Sequence, residues 1–299
     1  MRRLKRSIYL GLSLVGLMAF SGCGGNAVEQ TQGASVQDEK GTTEEQRIVA
    51  LSVSLVDILA ELDVEMVGVP NSQYSLNEKV ADVTKVGLPM SPDIEIIASL
   101  NPTHVLSLTT LESMVSEKLG TVGIQGTYLN AENIDTLKAS IATIGEMFDR
   151  EAEAAELIAN FEADINATIE SVKGKTSPKV LILFGFPGNY LAGTSASFVG
   201  QMVEMLGGTN VVADSNTAYA NVNLEALLVS EPDIILRMTH GVKEEVLEMF
   251  EKEFNENPIW SQFDAVKNGN VYDLDDSLFN VSASLETAKA LSELAEIIY

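Results

Sequence analysis

One pattern occurs twice in this chain, at a fixed separation of 130 residues. Each copy, residues 92–108 and residues 223–236, predicts a short amphipathic helix that ends at a proline. An apolar strand follows the helix in both copies. Glu95 of the first copy aligns with Glu225 of the second. Helix–strand units of this kind build parallel α/β sheets. The repeat therefore predicts two similar lobes with a ligand held between them, unless the match is a coincidence between unrelated units.

The first 23 residues predict the compartment. Four basic residues precede an apolar run from Ile8 to Phe20 that is too short to span a membrane comfortably. This is typical of a secretory signal peptide, here residues 1–22. Small residues precede Cys23, the only cysteine, in a string that resembles the lipobox of bacterial lipoproteins. That resemblance implies that Cys23 is acylated and anchors the protein to the membrane.

Composition excludes some partners. Residues 23–45 are rich in Gly, Gln, Thr, Ser and Glu without apolar periodicity, which predicts a flexible tether. The chain has 19 basic and 43 acidic residues, a formal net charge of −24. This excess argues against nucleic acid and against a basic membrane-binding face. It does not identify a ligand, because acidic excess also promotes solubility.

Strand and helix patterns alternate along the rest of the chain. Residues 46–133 and 178–299 read as N-terminal and C-terminal lobes, and residues 134–177 are almost wholly helical in pattern. Gly145 and Asp149, a candidate N-cap, suggest a break, after which one helix of roughly 24 residues would extend about 36 Å. We therefore predict an α/β fold of two Rossmann-like lobes with parallel-type sheets, joined by a single long helix. Such a stiff connection predicts a largely preformed cleft.

These features together resemble the substrate-binding lipoproteins of ABC importers for iron chelates, haem and cobalamin, the class III binding proteins. The resemblance covers nearly the whole body of the chain. Residues 86–95 (VGLPMSPDIE), 181–191, 234–241 (IILRMTHG) and 263–275 are most similar to the haem receptors of Gram-positive iron-regulated surface systems. The resemblance implies a receptor on the extracytoplasmic face of the cell membrane. It would receive haem from surface donor proteins and deliver it to an ABC permease dimer.

The resemblance also implies that Met90 and His240 are the two axial ligands of haem iron, one from each lobe. A thioether and a neutral imidazole form a known low-spin haem combination, and the soft sulfur favours reduced iron. Met90 lies between two prolines, and His240 follows an apolar strand at the carboxyl edge of a predicted sheet, where ligands of such folds collect. The alternatives are ordinary packing for Met90 and an ordinary surface position for His240. The other histidine, His104, begins an apolar strand and is expected to be a core group.

A haem pocket also needs donors for two propionates and apolar walls. The unpaired N–H groups of a helix that begins near Ser52, Val53 and Ser54 could receive a carboxylate, although such turns are common in this fold. Further candidates lie on or near loops after strands: Tyr74, Phe186, Tyr190, Arg237 and Phe279. The aromatic residues could instead cover the sheet ends, and Arg237 could instead pair with a nearby acid.

Glu95 and Glu225 receive a different role from the resemblance, which implies that they dock against arginines of the permease dimer. The alternative is a pair of solvated helix carboxylates. A siderophore or cobalamin receptor on the same scaffold is the nearest competing function. A receptor for bare zinc or manganese would need three or more suitable ligands, and the chain has only two histidines. We expect no enzymatic activity, because the sequence contains no Gly-x-Ser-x-Gly, His-Glu-x-x-His or phosphate-loop motif.

Overall fold

Two β-sheets with helices packed on their faces form the framework of this protein. The computed structural model describes residues 46–72, 76–213, 216–279 and 281–299. The predicted signal peptide, Cys23, the tether and Tyr74 lie outside these ranges. The described residues all belong to one compact unit, Glu45–Tyr299. None of the helices in the described ranges has the length and apolar character that a membrane span requires.

The first sheet contains five parallel strands in the order β3-β2-β1-β6-β7. Successive side chains along each strand point to opposite faces of the sheet. Because successive residues are apolar, both faces of this sheet are apolar. Ile48 and Leu106 join one large core, whereas Val49 and Val105 join a separate cluster. A two-stranded hairpin, β4–β5, follows β3. The strands are β1 (Ile48–Ala50), β2 (Met66–Val69), β3 (Thr84–Lys85), β4 (Gly87–Leu88), β5 (Ser91–Pro92), β6 (His104–Leu108) and β7 (Gly126–Leu129).

The second sheet is mixed rather than purely parallel. Its order is β11-β9-β8-β12-β13, with β10 beside the start of β8. β8, β12 and β13 are parallel, but β9 and β11 are antiparallel to their neighbours. Only Pro187 and Gly188 separate β8 from β9, and so short a connection can only reverse the chain. The strands are β8 (Lys179–Phe186), β9 (Asn189–Gly193), β10 (Thr209–Asn210), β11 (Tyr219–Ala220), β12 (Ile234–Thr239) and β13 (Val271–Asp273).

Helices cover both sheets and connect them. They are α1 (Val53–Glu61), α2 (Ile94–Ser99), α3 (Glu112–Thr121), α4 (Ile134–Met147), α5 (Glu151–Val172), α6 (Phe198–Met205), α7 (Leu224–Val229), α8 (Lys243–Glu256), α9 (Asp264–Lys267) and α10 (Thr287–Ile298). The connection between the sheets is two helices, α4 and α5. The 22 residues of α5 extend about 33 Å.

The break between α4 and α5 differs from the predicted one. Asp149 is not the N-cap of α5, because it adopts a left-handed conformation with φ 55°, and Arg150 is the residue that precedes the helix. Gly145 allows the two helices to approach closely. A Cβ atom on Gly145 would lie 2.6 Å from the Cβ of Ala154. The glycine is therefore a packing requirement rather than a helix stop.

The sequence repeat corresponds to a repeated structural unit. α2 and α7 each contain six residues, and each begins after an N-cap, Asp93 or Asn223, whose side chain accepts backbone hydrogen bonds. Each helix is followed by a left-handed residue, Asn101 with φ 46° or Glu231 with φ 50°. β6 and β12 begin three residues later in both copies. The match extends to caps and backbone conformation, so it is not a coincidence.

One large core extends through both halves of the described chain. It includes Ile48 in the first sheet, Ile141 and Ile165 on the connecting helices, and Ile182 in the second sheet. A backbone hydrogen bond of 2.8 Å also joins the two halves, from the amide of Ala283 to the carbonyl of Ala131. These two residues follow β13 and β7. The segments after the carboxyl ends of the two sheets therefore meet.

Candidate ligand-binding site

Met90 lies in the tight turn of the β4–β5 hairpin. Pro89 and Met90 alone connect the two strands, and the Met90 side chain is 59 % exposed. Gly87 begins the hairpin with φ +90°, and a Cβ atom there would lie 2.8 Å from the amide nitrogen of Asp93. The carbonyl of Gly87 accepts a 2.8 Å hydrogen bond from the Asn71 amide. The hairpin is thus anchored at its base and presents the thioether to solvent.

His240 is the first residue after β12. Its amide donates a 2.9 Å hydrogen bond to the carbonyl of Gly185, which extends the β8–β12 ladder by one residue. The imidazole is exposed, and its centroid lies 5.5 Å from that of Phe184. Phe184 in turn stacks on Tyr219, with centroids 4.3 Å apart and planes 27° apart. The backbone of His240 is therefore held by β8, and its exposed ring lies beside Phe184.

Exposed apolar side chains follow the strands of both sheets. Five of them, each between 46 % and 59 % exposed, lie after the carboxyl ends of β3, β6, β12 and β13: Leu88, Met90, Met114, Val242 and Val281. Exposed apolar residues that follow the carboxyl ends of parallel strands lie where ligands of such folds bind. We call these five residues the apolar rim. Such a rim suits a large apolar ligand better than a small hydrophilic one.

The two histidines have different surroundings. His104 lies at the amino end of β6, whereas Met90 follows the carboxyl end of β3. The two residues therefore lie at opposite edges of the first sheet. It is half-buried, its Nδ1 lies 3.0 Å from the Thr103 hydroxyl, and its ring packs edge-on against Phe148. Packing and a local hydrogen bond account for His104, as expected from its place at the start of an apolar strand.

The predicted carboxylate site lies at the start of α1. Ser52 is 5 % exposed and caps the helix, since its hydroxyl accepts a 3.4 Å hydrogen bond from the Leu55 amide. The hydroxyl of Ser54 lies 3.4 Å from that of Ser52, and both Val53 and Ser54 are half-buried. α1 follows the carboxyl end of β1, so this helix start lies on the same side of the first sheet as Met90.

Three of the predicted aromatic walls lie within the described ranges. Phe186 is half-buried at the end of β8, 6.2 Å from the ring of Phe184. Tyr190 instead packs beneath α8, where its hydroxyl donates a 2.9 Å hydrogen bond to Glu253. Burial, followed by the contact with this carboxylate, raises the pKa of Tyr190. Phe279 is 2 % exposed within the large core. Tyr190 and Phe279 thus have packing partners within the protein.

Arg237 pairs with a nearby acid, which is the second of the two roles considered for it. Its guanidinium forms a two-pronged ion pair with Asp273 on the adjacent strand, at 2.7 and 2.6 Å. The group also lies over the rings of Phe250 and Phe254, at 5.4 and 5.2 Å. These partners lie on the α8 side of the sheet. The correction follows from strand alternation: Arg237 and Phe184 face opposite sides.

Sequence reasoning missed Phe184 and Tyr219. Phe184 belongs to an uninterrupted apolar segment in β8. The sequence of this segment does not indicate which of its residues lie near the ligand-binding end of the strand. Tyr219 lies in a mostly polar segment, on the edge strand β11. Burial raises the pKa of Tyr219 to about 12, so the phenol stays neutral at physiological pH.

Glu95 and Glu225 occupy equivalent positions in the two repeated units. Each is exposed in the first turn of its helix, α2 or α7. A negative charge at this position suits the positive end of the helix dipole, so local stability explains part of its placement. Their matched exposure leaves both carboxylates open to a partner.

Two half-open pockets lie elsewhere. One of about 410 Å³ is lined by residues such as Asp63 and Lys79, and one of about 540 Å³ lies between α4 and α6. Neither contains Met90 or His240. No group of three or more His, Cys, Asp or Glu side chains suited to a metal ion occurs within the described ranges.

Comparison with known proteins agrees with this fold. Residues 48–278 match the periplasmic binding protein family. The high-affinity heme uptake system protein IsdE of Staphylococcus aureus is 37 % identical over 293 residues, which cover 97 % of each chain. An ABC transporter substrate-binding protein from Listeria monocytogenes superposes with a TM-score of 0.80 and 41 % identity, covering 86 % of this chain and 99 % of that one. The structure of S. aureus IsdE complexed with heme gives a TM-score of 0.79 and 39 % identity, covering 85 % and 99 %.

Proposed function

This chain belongs to the periplasmic binding protein family, and from that premise we propose that it is a cell-surface receptor that binds haem and delivers it to an ABC permease for iron uptake. The family comprises binding proteins for transport rather than enzymes. Its α/β framework of two sheets joined by helices is the class III binding-protein fold. The 37 % identity to a heme uptake protein over nearly the full chain supports haem as the transported substrate.

Haem iron is held by Met90 and His240 in this proposal. The observation that carries it is that one soft sulfur and one imidazole, both exposed, come from loops at the carboxyl sides of two different sheets. Backbone hydrogen bonds hold the base of the Met90 hairpin and the amide of His240, which reduces the ordering entropy that ligation costs. The apolar rim covers the porphyrin faces, and Phe186 adds to the wall beside His240.

The propionates bind at the start of α1, where Ser52, Val53 and Ser54 offer a hydroxyl group and backbone N–H donors. A helix start is suited to this role in a strongly acidic protein, because the helix dipole attracts a carboxylate without needing a cation. Tyr74 belongs to the same pocket in this proposal, on sequence grounds alone.

The absorbance spectrum of the haem-loaded protein tests the ligands. We expect a six-coordinate low-spin spectrum for the wild type. Met90→Leu and His240→Gln each remove one ligand at similar volume, so each should shift the Soret band and convert the spectrum to high spin. Met147→Leu and His104→Gln are the matched controls, because these residues belong to the core or to the opposite sheet edge. Unchanged spectra in both ligand variants would refute the assignment.

The alternative substrates are a ferric siderophore or cobalamin, on the same scaffold. Equilibrium dialysis against haem, a ferric siderophore and cobalamin distinguishes them directly. Retention of haem alone supports the proposal, and retention of another ligand without haem would replace it.

Membrane attachment depends on Cys23 in this proposal. Signal peptidase removes residues 1–22, the new N-terminal cysteine carries acyl chains, and residues 23–45 act as the tether on the extracytoplasmic face of a Gram-positive cell. Growth with labelled palmitate should label the wild type and leave Cys23→Ser unlabelled and released into the medium. A labelled Cys23→Ser protein would contradict the anchor.

The permease dimer contacts Glu95 and Glu225. Their equivalent places in a repeated unit suit a partner with two similar subunits. The double change to lysine should abolish haem uptake by cells and leave the haem spectrum unaltered. The control exchanges Glu151 and Glu156, exposed on α5, for lysine. Equal uptake by the two double variants would exclude the docking role.

A further inference from the structure

An ion pair lies close to His240 in the chain and joins its loop to a neighbouring loop. The Nζ atom of Lys243 lies 2.5 Å from Oδ1 of Asp276. Lys243 is the first residue of α8, three positions after His240, and Asp276 lies just after β13. β12 and β13 are adjacent and parallel, so the pair connects the two segments that leave their carboxyl ends.

The acidic side of this pair belongs to a preformed turn. The amide and hydroxyl of Ser277 donate to the carboxylate of Asp275, and the amides of Leu278 and Phe279 donate to its carbonyl. The hydrogen bonds from Ser277 lower the pKa of Asp275, with a smaller contribution from lysine charges. Asp276 lies within this turn, and its side chain is only 14 % exposed. It therefore provides a fixed point of attachment.

The loop between His240 and α8 has weaker attachments of its own. Gly241 has φ +91°, and Val242 is 55 % exposed and provides no side-chain cap for α8. The His240 amide is bonded to β8, and the ring contact of its side chain among the described residues is with Phe184. Lys243 is the first residue after His240 whose side chain is tied to another loop by an ion pair.

We propose that the Lys243–Asp276 pair is a positioning device that holds the His240 loop in its ligating conformation. The inference rests on the proposed function, since it assumes that His240 binds haem iron. Without the pair the loop samples more conformations, and the apparent affinity falls in proportion to the ligating fraction. An ion pair of this exposure accounts for a change of about two- to fivefold in that fraction.

The rate of haem loss to excess apomyoglobin tests the proposal. Lys243→Met and Asp276→Asn should each release haem about two- to fivefold faster than the wild type at low salt, with a low-spin spectrum before release. Salt screens the wild-type pair, so raising NaCl from about 0.05 M to about 0.5 M should accelerate its haem loss and leave the variants unaffected. The exchange Lys243→Asp with Asp276→Lys should restore slow, salt-dependent loss. Lys267→Met is the control, because its pair with Asp264 lies within α9.

The outcomes separate the two proposals. Wild-type rates in both single variants overturn the positioning role while the haem ligands stand. Fast loss that the charge exchange does not restore also overturns it, because the effect would then not come from the pair. If His240→Gln keeps the wild-type spectrum and rate, the proposed ligand fails and the positioning role fails with it.

Discussion

Arg237 and His240 show that the position of a residue along a strand determines which partners its side chain can reach. Both lie at the carboxyl end of β12, three residues apart, and both could serve an anionic iron porphyrin. Strand alternation turns Arg237 toward α8, where Asp273 and two phenylalanine rings satisfy it. His240 leaves the strand and stays exposed. The cation thereby contributes to the stability of the second sheet, whereas the imidazole is exposed.

We predict that Arg237→Lys destabilises the fold without affecting the haem site. Lysine cannot form both hydrogen bonds to Asp273 or stack between the rings, so the free energy of unfolding should fall by about 1–3 kcal/mol. Urea denaturation measures this loss, and the haem titration should match the wild type. Weakened haem binding at unchanged stability would place Arg237 at a propionate instead.

At the scale of elements, the β4–β5 hairpin determines where the Met90 sulfur can lie. Only two residues form its turn, and its base requires the positive φ of Gly87 beside the backbone of Asp93. A short hairpin has few internal contacts, so its conformation depends on this glycine and on the bond from Asn71.

Gly87→Ala should therefore disturb the hairpin and the haem spectrum together. The alanine is strained at φ +90° and its Cβ meets backbone atoms, which we expect to lower the free energy of unfolding by about 1–3 kcal/mol. The displaced sulfur should reduce the low-spin fraction of the haem-loaded protein. Gly120→Ala is the matched control, since it lies within α3 with no atom within 4 Å of the added Cβ. It should stabilise the protein by up to about 1 kcal/mol and leave the spectrum intact.

Several elements were predictable because their signals are local. α1, β2, α6 and β12 each coincide with an apolar stretch of the sequence, and the repeated unit is visible as aligned residues. The prediction of parallel-type sheets did not include the β8–β9 hairpin, although Pro187-Gly188 is a turn signal. Tyr190 and Phe279 could not be assigned from sequence, because their roles depend on partners distant in the chain. Glu253, for example, lies 63 positions from Tyr190.

At the scale of the molecule, the two halves share a core and also share unfavourable charge. Asp57 of α1 is half-buried, and its pKa is raised to about 6 by burial first, then by Glu286 at the start of α10 and by Glu61. Glu286 belongs to the other half of the chain. The repulsion therefore acts across the region where the halves meet, near the bond between Ala283 and Ala131.

Asp57→Asn should stabilise the protein in a pH-dependent way. The folded-state pKa of about 6 exceeds the ordinary value of 3.8, so the folded state binds more protons between these values. The free energy of unfolding consequently falls as pH rises through this range, and the penalty is full above about pH 6. Because Asp57 is partly exposed, we discount the effect to about 1 kcal/mol, or about 2–4 °C in Tm at pH 7. Thermal unfolding from pH 7 down to about pH 4 should show the gain disappearing as both states become protonated. A gain that is constant with pH would mean that the charge of Asp57 does not oppose the contact between the halves.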